Sequence, residues 1–90
     1  MKRVFKYLLD VTDLQDVRLP QGAKILTAQM QGDQLCLWAL VDQDALHLTE
    51  WRRIRIAGTG HEIEADSIKY ISTVQLHGGA LVYHIFEVLQ

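Results

Sequence analysis

The sequence predicts a mainly β protein: one small antiparallel sandwich or partly open barrel of six to seven strands, with at most one short helix. Its 90 residues suffice for one core and are too few for two ordinary domains, so residues 1–90 are expected to form a single domain. Hydrophobic residues make up 49% of the chain, which is enough for a packed core. Their spacing is nearer two residues than 3.6, the period of strands rather than helices.

The first half of the chain alternates between apolar segments and turn signals. Strands are predicted over residues 3–9, 16–19, 24–31 and 35–42. Pro20-Gln21-Gly22 is typical of a turn, and Gly32-Asp33 predicts a tight hairpin between the third and fourth strands. In the third strand, Leu26, Ala28 and Met30 are expected to face the core.

The fourth strand is apolar on both faces, which predicts a central position in its sheet. Its tryptophan, Trp38, is therefore expected to be buried. The single cysteine, Cys36, lies in the same strand and is interpreted as a buried structural thiol, since it has no second cysteine to pair with.

The second half predicts three more strands, over residues 51–57, 69–76 and 80–89. Arg53 and Arg55 alternate with two isoleucines and are expected on the solvent face. Residues 61–68 are interpreted as a loop or a single helical turn. His77-Gly78-Gly79 predicts a tight hairpin before the last strand. Trp51, flanked by charged residues, is the better candidate of the two tryptophans for an exposed contact residue.

Charge and hydropathy exclude some classes of function. The net charge of −2 argues against a general nucleic-acid binder, which needs a marked excess of basic residues. The longest apolar run, residues 35–41, has seven residues and is too short for a membrane span. The N-terminal segment mixes charged and apolar residues, unlike a signal peptide. These features predict a cytoplasmic setting, in the producing bacterial cell or in a host, and no membrane partner.

The most suggestive segment for binding is Gly58-Thr59-Gly60-His61. Two glycines let backbone amides converge beside a hydroxyl and an imidazole, an arrangement that can hold a phosphate or carboxylate. Arg53 and Arg55 are expected to add charge-assisted contacts, with Gln75 and His77 from the following hairpin nearby. The alternative is an ordinary turn at a strand end, in which the glycines only supply positive φ.

Metal binding and catalysis have little support in the residue pattern. His61, His77 and His84 with Glu62 are the available ligands, but no two have a recognised metal spacing. Neither Ser67 nor Ser72 has the context of a catalytic nucleophile. The sequence therefore predicts no catalytic residue, no metal and no cofactor.

Several segments together resemble a family of small, uncharacterised proteins of bacteria and their phages, and the resemblance spans nearly the whole chain. It is carried by Gly58-Thr59-Gly60-His61 and by Thr73-Val74-Gln75 through His77-Gly78-Gly79-Ala80-Leu81-Val82, with further matches at residues 4–7, 19–26 and 35–42. The chain departs from the family pattern at Leu8 and Ser72. The family has no assigned activity, so the resemblance implies a context, and no binding residue comes with it.

Three functions follow as hypotheses. The first is a non-enzymatic binding module of phage or prophage type that inhibits a host defence process, either by covering a host protein or by sequestering an anionic, nucleotide-like small molecule. The second is a small enzyme acting on a phosphorylated or acidic molecule through His61 or His84. The third is a structural or assembly protein. A homo-oligomer, most simply a dimer, is expected because strand edges need a cover.

Overall fold

The computed structural model describes residues 1–89 and contains seven antiparallel strands. They are β1 (Lys2–Leu9), β2 (Leu14–Pro20), β3 (Lys24–Gln31), β4 (Gln34–Asp42), β5 (Thr49–Gly58), β6 (Ile68–Leu76) and β7 (Leu81–Val88). Two short 3-10 turns, Gln43–Ala45 and His77–Gly79, are the helical elements of this part of the chain. Neither is long and apolar enough to cross a membrane.

The strands form two sheets, and the predicted sandwich is confirmed. One sheet has three strands in the order β1-β4-β3, and the other has four in the order β2-β5-β7-β6. The predicted hairpin at Gly32-Asp33 joins β3 to β4, with Gln31 opposite Gln34 and Gly32 at positive φ. The apolar strand β4 is central in its sheet, as its composition predicted.

The core lies between the inner faces of the two sheets. Alternate residues of β4, from Leu35 to Val41, point inward and are fully buried, and they pack against Ile54 and Ile85 of the other sheet. On the opposite face of β4, Cys36 is buried but Trp38 is only half-buried, so the expectation of a buried Trp38 is wrong. Among residues 1–89, no second sheet covers that face. Trp38 is flanked there by Lys6 and Thr27, its partners on the neighbouring strands.

Two register shifts lie in β3 and β6, the strands through which the sheets meet along one side. In β3, Ile25 pairs with Ala39 and Thr27 with Trp38, so Leu26 is an extra residue that the bulge turns outward. Leu26 is 42% exposed, which corrects the expectation that it faces the core. A second shift in β6 falls between Tyr70 and Ser72.

The side chain of Ser72 connects the two bulged strands. Its hydroxyl accepts a hydrogen bond from the amide of Ala28 at 2.9 Å and lies 2.9 Å from the hydroxyl of Thr27. Both Ser72 and Ala28 are buried. The junction between β3 and β6 therefore includes a side-chain bridge, since the two strands share no backbone ladder.

We predict that Ser72→Ala lowers the free energy of unfolding by about 1–3 kcal/mol, because the buried amide of Ala28 loses its acceptor. Denaturant unfolding of the two proteins measures this difference. The matched control is Ser67→Ala, a half-buried serine outside the junction, which should change stability by less than about 0.5 kcal/mol. Equal stability of Ser72→Ala and the native protein would contradict this role.

The outer edges of the sandwich are β1 and β2, while the edges β3 and β6 adjoin each other. Open edges present unpaired backbone groups that favour association. The homo-oligomer stays a prediction: light scattering at micromolar concentration is expected to give the mass of two chains. The mass of one chain under those conditions would refute it.

Candidate functional site

The turn Gly58-Thr59-Gly60-His61 begins at the last residue of β5 and is closed by a hydrogen bond from the amide of His61 to the carbonyl of Gly58, at 3.0 Å. Gly60 has a φ of 88°, which favours glycine. The imidazole of His61 lies over Gly58, where an added Cβ would be 3.0 Å from its Cε1 atom. Gly60 thus permits the backbone turn, and Gly58 leaves room for the side chain of His61.

Thr59 and His61 are exposed and border a small open cavity of about 280 Å³. Its other wall is the start of β7, where Leu81, Val82 and Tyr83 provide mostly apolar surface. The predicted turn is therefore accessible and has space beside it.

A row of polar side chains runs from this turn across the outer face of the four-stranded sheet. The hydroxyl of Thr59 lies 2.7 Å from Nε2 of His84, and Nδ1 of His84 lies 3.0 Å from the hydroxyl of Thr73. That hydroxyl lies 2.7 Å from the hydroxyl of Tyr70. Both ring nitrogens of His84 are thus engaged by hydroxyl groups.

From the sequence, His84 is a candidate metal ligand and, in the enzyme hypothesis, a candidate acid or base, but Thr73 and Tyr70 are not predicted as part of its hydrogen-bonded row. The strand register explains the arrangement: His84 pairs with Ala57 on one side and Thr73 on the other. Counting back from the Gly78-Gly79 turn gives an approximate register, but the shift between Tyr70 and Ser72 has no clear signal in the sequence.

Arg55 lies on the same outer face of the sheet as Arg53 but is not exposed to solvent, so the expectation of a solvent-facing Arg55 is wrong. It is 8% exposed. Its guanidinium donates to the carbonyls of Asp13 (3.2 Å), Ile56 and Glu62 (2.8 Å) and lies 3.5 Å from the Glu64 carboxylate. Loop carbonyls cover this part of the outer face, so the arginine holds the two loops instead of facing water.

Arg53 is exposed, as expected, and donates to Asp16 at 3.0 Å. This hydrogen bond raises the pKa of Arg53. Arg53 pairs with Val88 in the sheet, five residues along β5 from Gly58, which corresponds to roughly 17 Å. The structure therefore separates Arg53 from the turn at residues 58–61.

Gln75 and His77 lie at the same end of the sheet as the turn but border a different open cavity, of about 440 Å³. Gly32 and Asp33 of the β3–β4 hairpin form part of its wall. The predicted site residues thus occupy four places: the turn, this cavity, the buried position of Arg55 and the distant position of Arg53. The assignment of these residues to ligand binding stays a prediction.

A second surface surrounds Trp51, which is 64% exposed, as its flanking charges predicted. The guanidinium carbon of Arg18 lies 5.3 Å from the centre of the indole ring, and its Nε donates to the Thr49 hydroxyl at 2.8 Å. Beside Trp51 lies an open cavity of about 680 Å³, lined in part by Val88 and Leu89. We call Arg18, Trp51, Val88 and Leu89 the Trp51 surface.

The floor of this cavity is built by charged residues that are largely buried. Arg52 binds Glu87 through two nitrogens and also donates to the carbonyl of Ala23 at 2.8 Å. The hydrogen bond that Arg52 donates to the Glu87 carboxylate raises the pKa of Arg52, and Glu50 adds to the effect. Because these charges satisfy one another, they form a rigid base for the Trp51 surface.

Metal coordination has no geometric basis in the described part of the chain. Within residues 1–89, no three histidine, cysteine, aspartate or glutamate side chains are arranged to hold an ion. His61, His77 and His84, the ligands considered from the sequence, lie on separate elements: the turn, the 3-10 segment and β7.

We predict that Arg55→Ala lowers the free energy of unfolding by at least about 1.5–3 kcal/mol, since it removes charge-assisted hydrogen bonds to loop carbonyls in a buried setting. The matched variant is Arg53→Ala on the same strand and face, whose exposed ion pair should make the smaller difference. Thermal and denaturant unfolding compare the two variants. Equal stability of the two would contradict the structural role of Arg55.

Comparison with known proteins assigns the chain to a family. No curated protein and no solved structure matches the chain significantly. A family model described as a domain of unknown function, DUF7352, matches residues 1–90. This bears out the expected membership of an uncharacterised family, while the bacterial or phage origin stays a prediction. The chain belongs to the DUF7352 family.

Proposed function

We propose that this protein is a binding module that attaches to a partner protein through the Trp51 surface. The observation that carries the proposal is the exposed indole of Trp51 with the guanidinium of Arg18 beside its ring. Tryptophan and arginine are the residue types that most often dominate the energetics of protein interfaces. Exposing so large an apolar ring in the free protein is explained if a partner covers it.

The side chains of the Trp51 surface indicate which groups a partner needs in order to bind there. Trp51 and the neighbouring aliphatic residues Val88 and Leu89 call for an apolar group that enters the adjacent cavity. Arg18 donates to the hydroxyl of Thr49 rather than to a carboxylate, so its guanidinium can donate to an acidic group of the partner. The expected partner site is therefore an aspartate or glutamate next to an exposed apolar side chain.

Sequestration of an anionic small molecule has less support from the geometry. Arg55 is committed to loop carbonyls, and Arg53 is paired with Asp16 away from the turn. Of the expected side chains, Thr59 and His61 remain at the turn with Gly58 and Gly60, beside an open cavity and without either arginine. Anion binding there, turnover of an acidic small molecule and an assembly role stay hypotheses.

The resemblance to small phage and bacterial proteins supplies a context for this proposal. A module that covers the working surface of a host protein would inhibit it without any chemistry of its own. An inhibitory role against a host defence process, and the cytoplasmic setting it requires, are part of the proposal on that ground alone.

The test is quantitative capture of bacterial proteins on the immobilised native chain, followed by calorimetry with the purified candidate. We expect a partner whose affinity falls by about 30-fold or more for Trp51→Ala, the usual loss at a dominant interface residue. Arg18→Ala should also weaken binding, and raised salt should reduce the affinity of the native protein.

The matched control is Leu8→Ala, on the outer face of the other sheet, because Leu8 and Trp51 are equally exposed at 64%. This variant should bind the partner as the native chain does. If no captured protein distinguishes Trp51→Ala from the native chain, or if Leu8→Ala loses binding equally, the Trp51 surface is not the interface.

A further inference from the structure

The row of side chains from Thr59 to Tyr70 contains an arrangement that the binding proposal does not use. Thr59 is exposed, and its hydroxyl lies 2.7 Å from Nε2 of the half-buried His84. Thr73 engages Nδ1, the other nitrogen of the imidazole, at 3.0 Å. A hydroxyl within hydrogen-bond reach of a base, with the base oriented by a third group, is the arrangement that activates a nucleophile.

The hydrogen-bond capacity of the row is compatible with a basic Nε2 on His84. If Nδ1 carries the hydrogen and donates to Thr73, then Nε2 accepts from Thr59. The Thr73 hydroxyl can in turn donate to the hydroxyl of Tyr70, 2.7 Å away. Every group in the row then has a partner, and the proton of Thr59 points at a base.

We infer that Thr59 is a nucleophilic hydroxyl that accepts an acyl group from an activated ester or thioester, with His84 as the general base. Thr59 Oγ1 attacks the acyl carbonyl carbon while its proton passes to Nε2 of His84. The bond from that carbon to the leaving oxygen or sulfur breaks, and the leaving group takes the electron pair. The proton on His84 then passes to the leaving group or to water, so the product is an ester of Thr59.

The surroundings of Thr59 indicate the class of acyl donor. The cavity beside it is small, and Leu81, Val82 and Tyr83 form much of its wall. The row itself contains only hydroxyl groups and an imidazole, with no arginine, lysine or carboxylate. A short, uncharged aliphatic acyl group fits this space and this polarity, and Thr73 acts as a positioning residue for His84.

The test uses 4-nitrophenyl acetate and 4-nitrophenyl butyrate with the full chain. Release of 4-nitrophenolate is followed by absorbance, and the acylated peptide is located by mass spectrometry. The native protein should release about one equivalent in a rapid phase and carry the acyl group on Thr59. Thr59→Val, which keeps the side-chain shape, should lose the rapid phase and the adduct.

His84→Ala should slow formation of the Thr59 adduct by about 100-fold or more, the usual contribution of a positioned general base. Thr12→Val, which removes an exposed hydroxyl in the β1–β2 loop, is the control and should react as the native chain does. Thermal unfolding checks that each variant is folded. An acyl group found only on amines, or an unchanged rate in Thr59→Val, would overturn the inference; neither result depends on a partner protein or on the Trp51 surface.

Discussion

The buried guanidinium of Arg55 is the group on which one end of the four-stranded sheet depends. A cation in that position must be neutralised or hydrogen-bonded, because water is largely excluded from it. Its partners are carbonyls of the loops on either side, at Asp13 and Glu62, together with the carboxylate of Glu64. The loops that contain Asp13 and Glu62 must therefore pass close enough to Arg55 for their carbonyls to accept its hydrogen bonds. The turn at residues 58–61 leads into one of these loops, so the position of Thr59 beside His84 depends indirectly on Arg55.

Alternation of apolar residues predicted the strands well because the period of two follows directly from strand geometry. The bounds of β3 agree at both ends, and those of β4 differ by one residue. Two of the failures have a common cause: alternation tells which residues share a face, but not what covers that face. Trp38 is half-buried because no further sheet of the described residues lies over it, and Arg55 is buried because loops cover it. Leu26 was misplaced by a bulge, which shifts the alternation by one residue.

The candidate sites were predictable to different degrees. Turn residues at 58–61 have a clear local signal, and the exposure of Trp51 could be inferred from its charged neighbours. The contacts of His84 with Thr59 and Thr73 depend on how three distant segments align across the sheet, which no local pattern encodes. Arg53 is separated from the turn because it lies five residues before Gly58 along the extended strand β5. Contacts between side chains that depend on strand register can be identified only from the structure of the sheet.

The hydrogen bonds between Ser72 and β3 also bear on the order in which the sandwich folds. Hairpins such as β3–β4 and β6–β7 join neighbouring segments, whereas Ser72 and Ala28 are 44 residues apart in the chain. Contacts between such distant segments carry a larger loop-closure cost and are expected to form after the hairpins. The hydrogen bond from the amide of Ala28 to Ser72 is therefore expected to form late, when the two sheets come together. Its hydrogen exchange in the native state would report transient parting of the sheets while the hairpins stay intact.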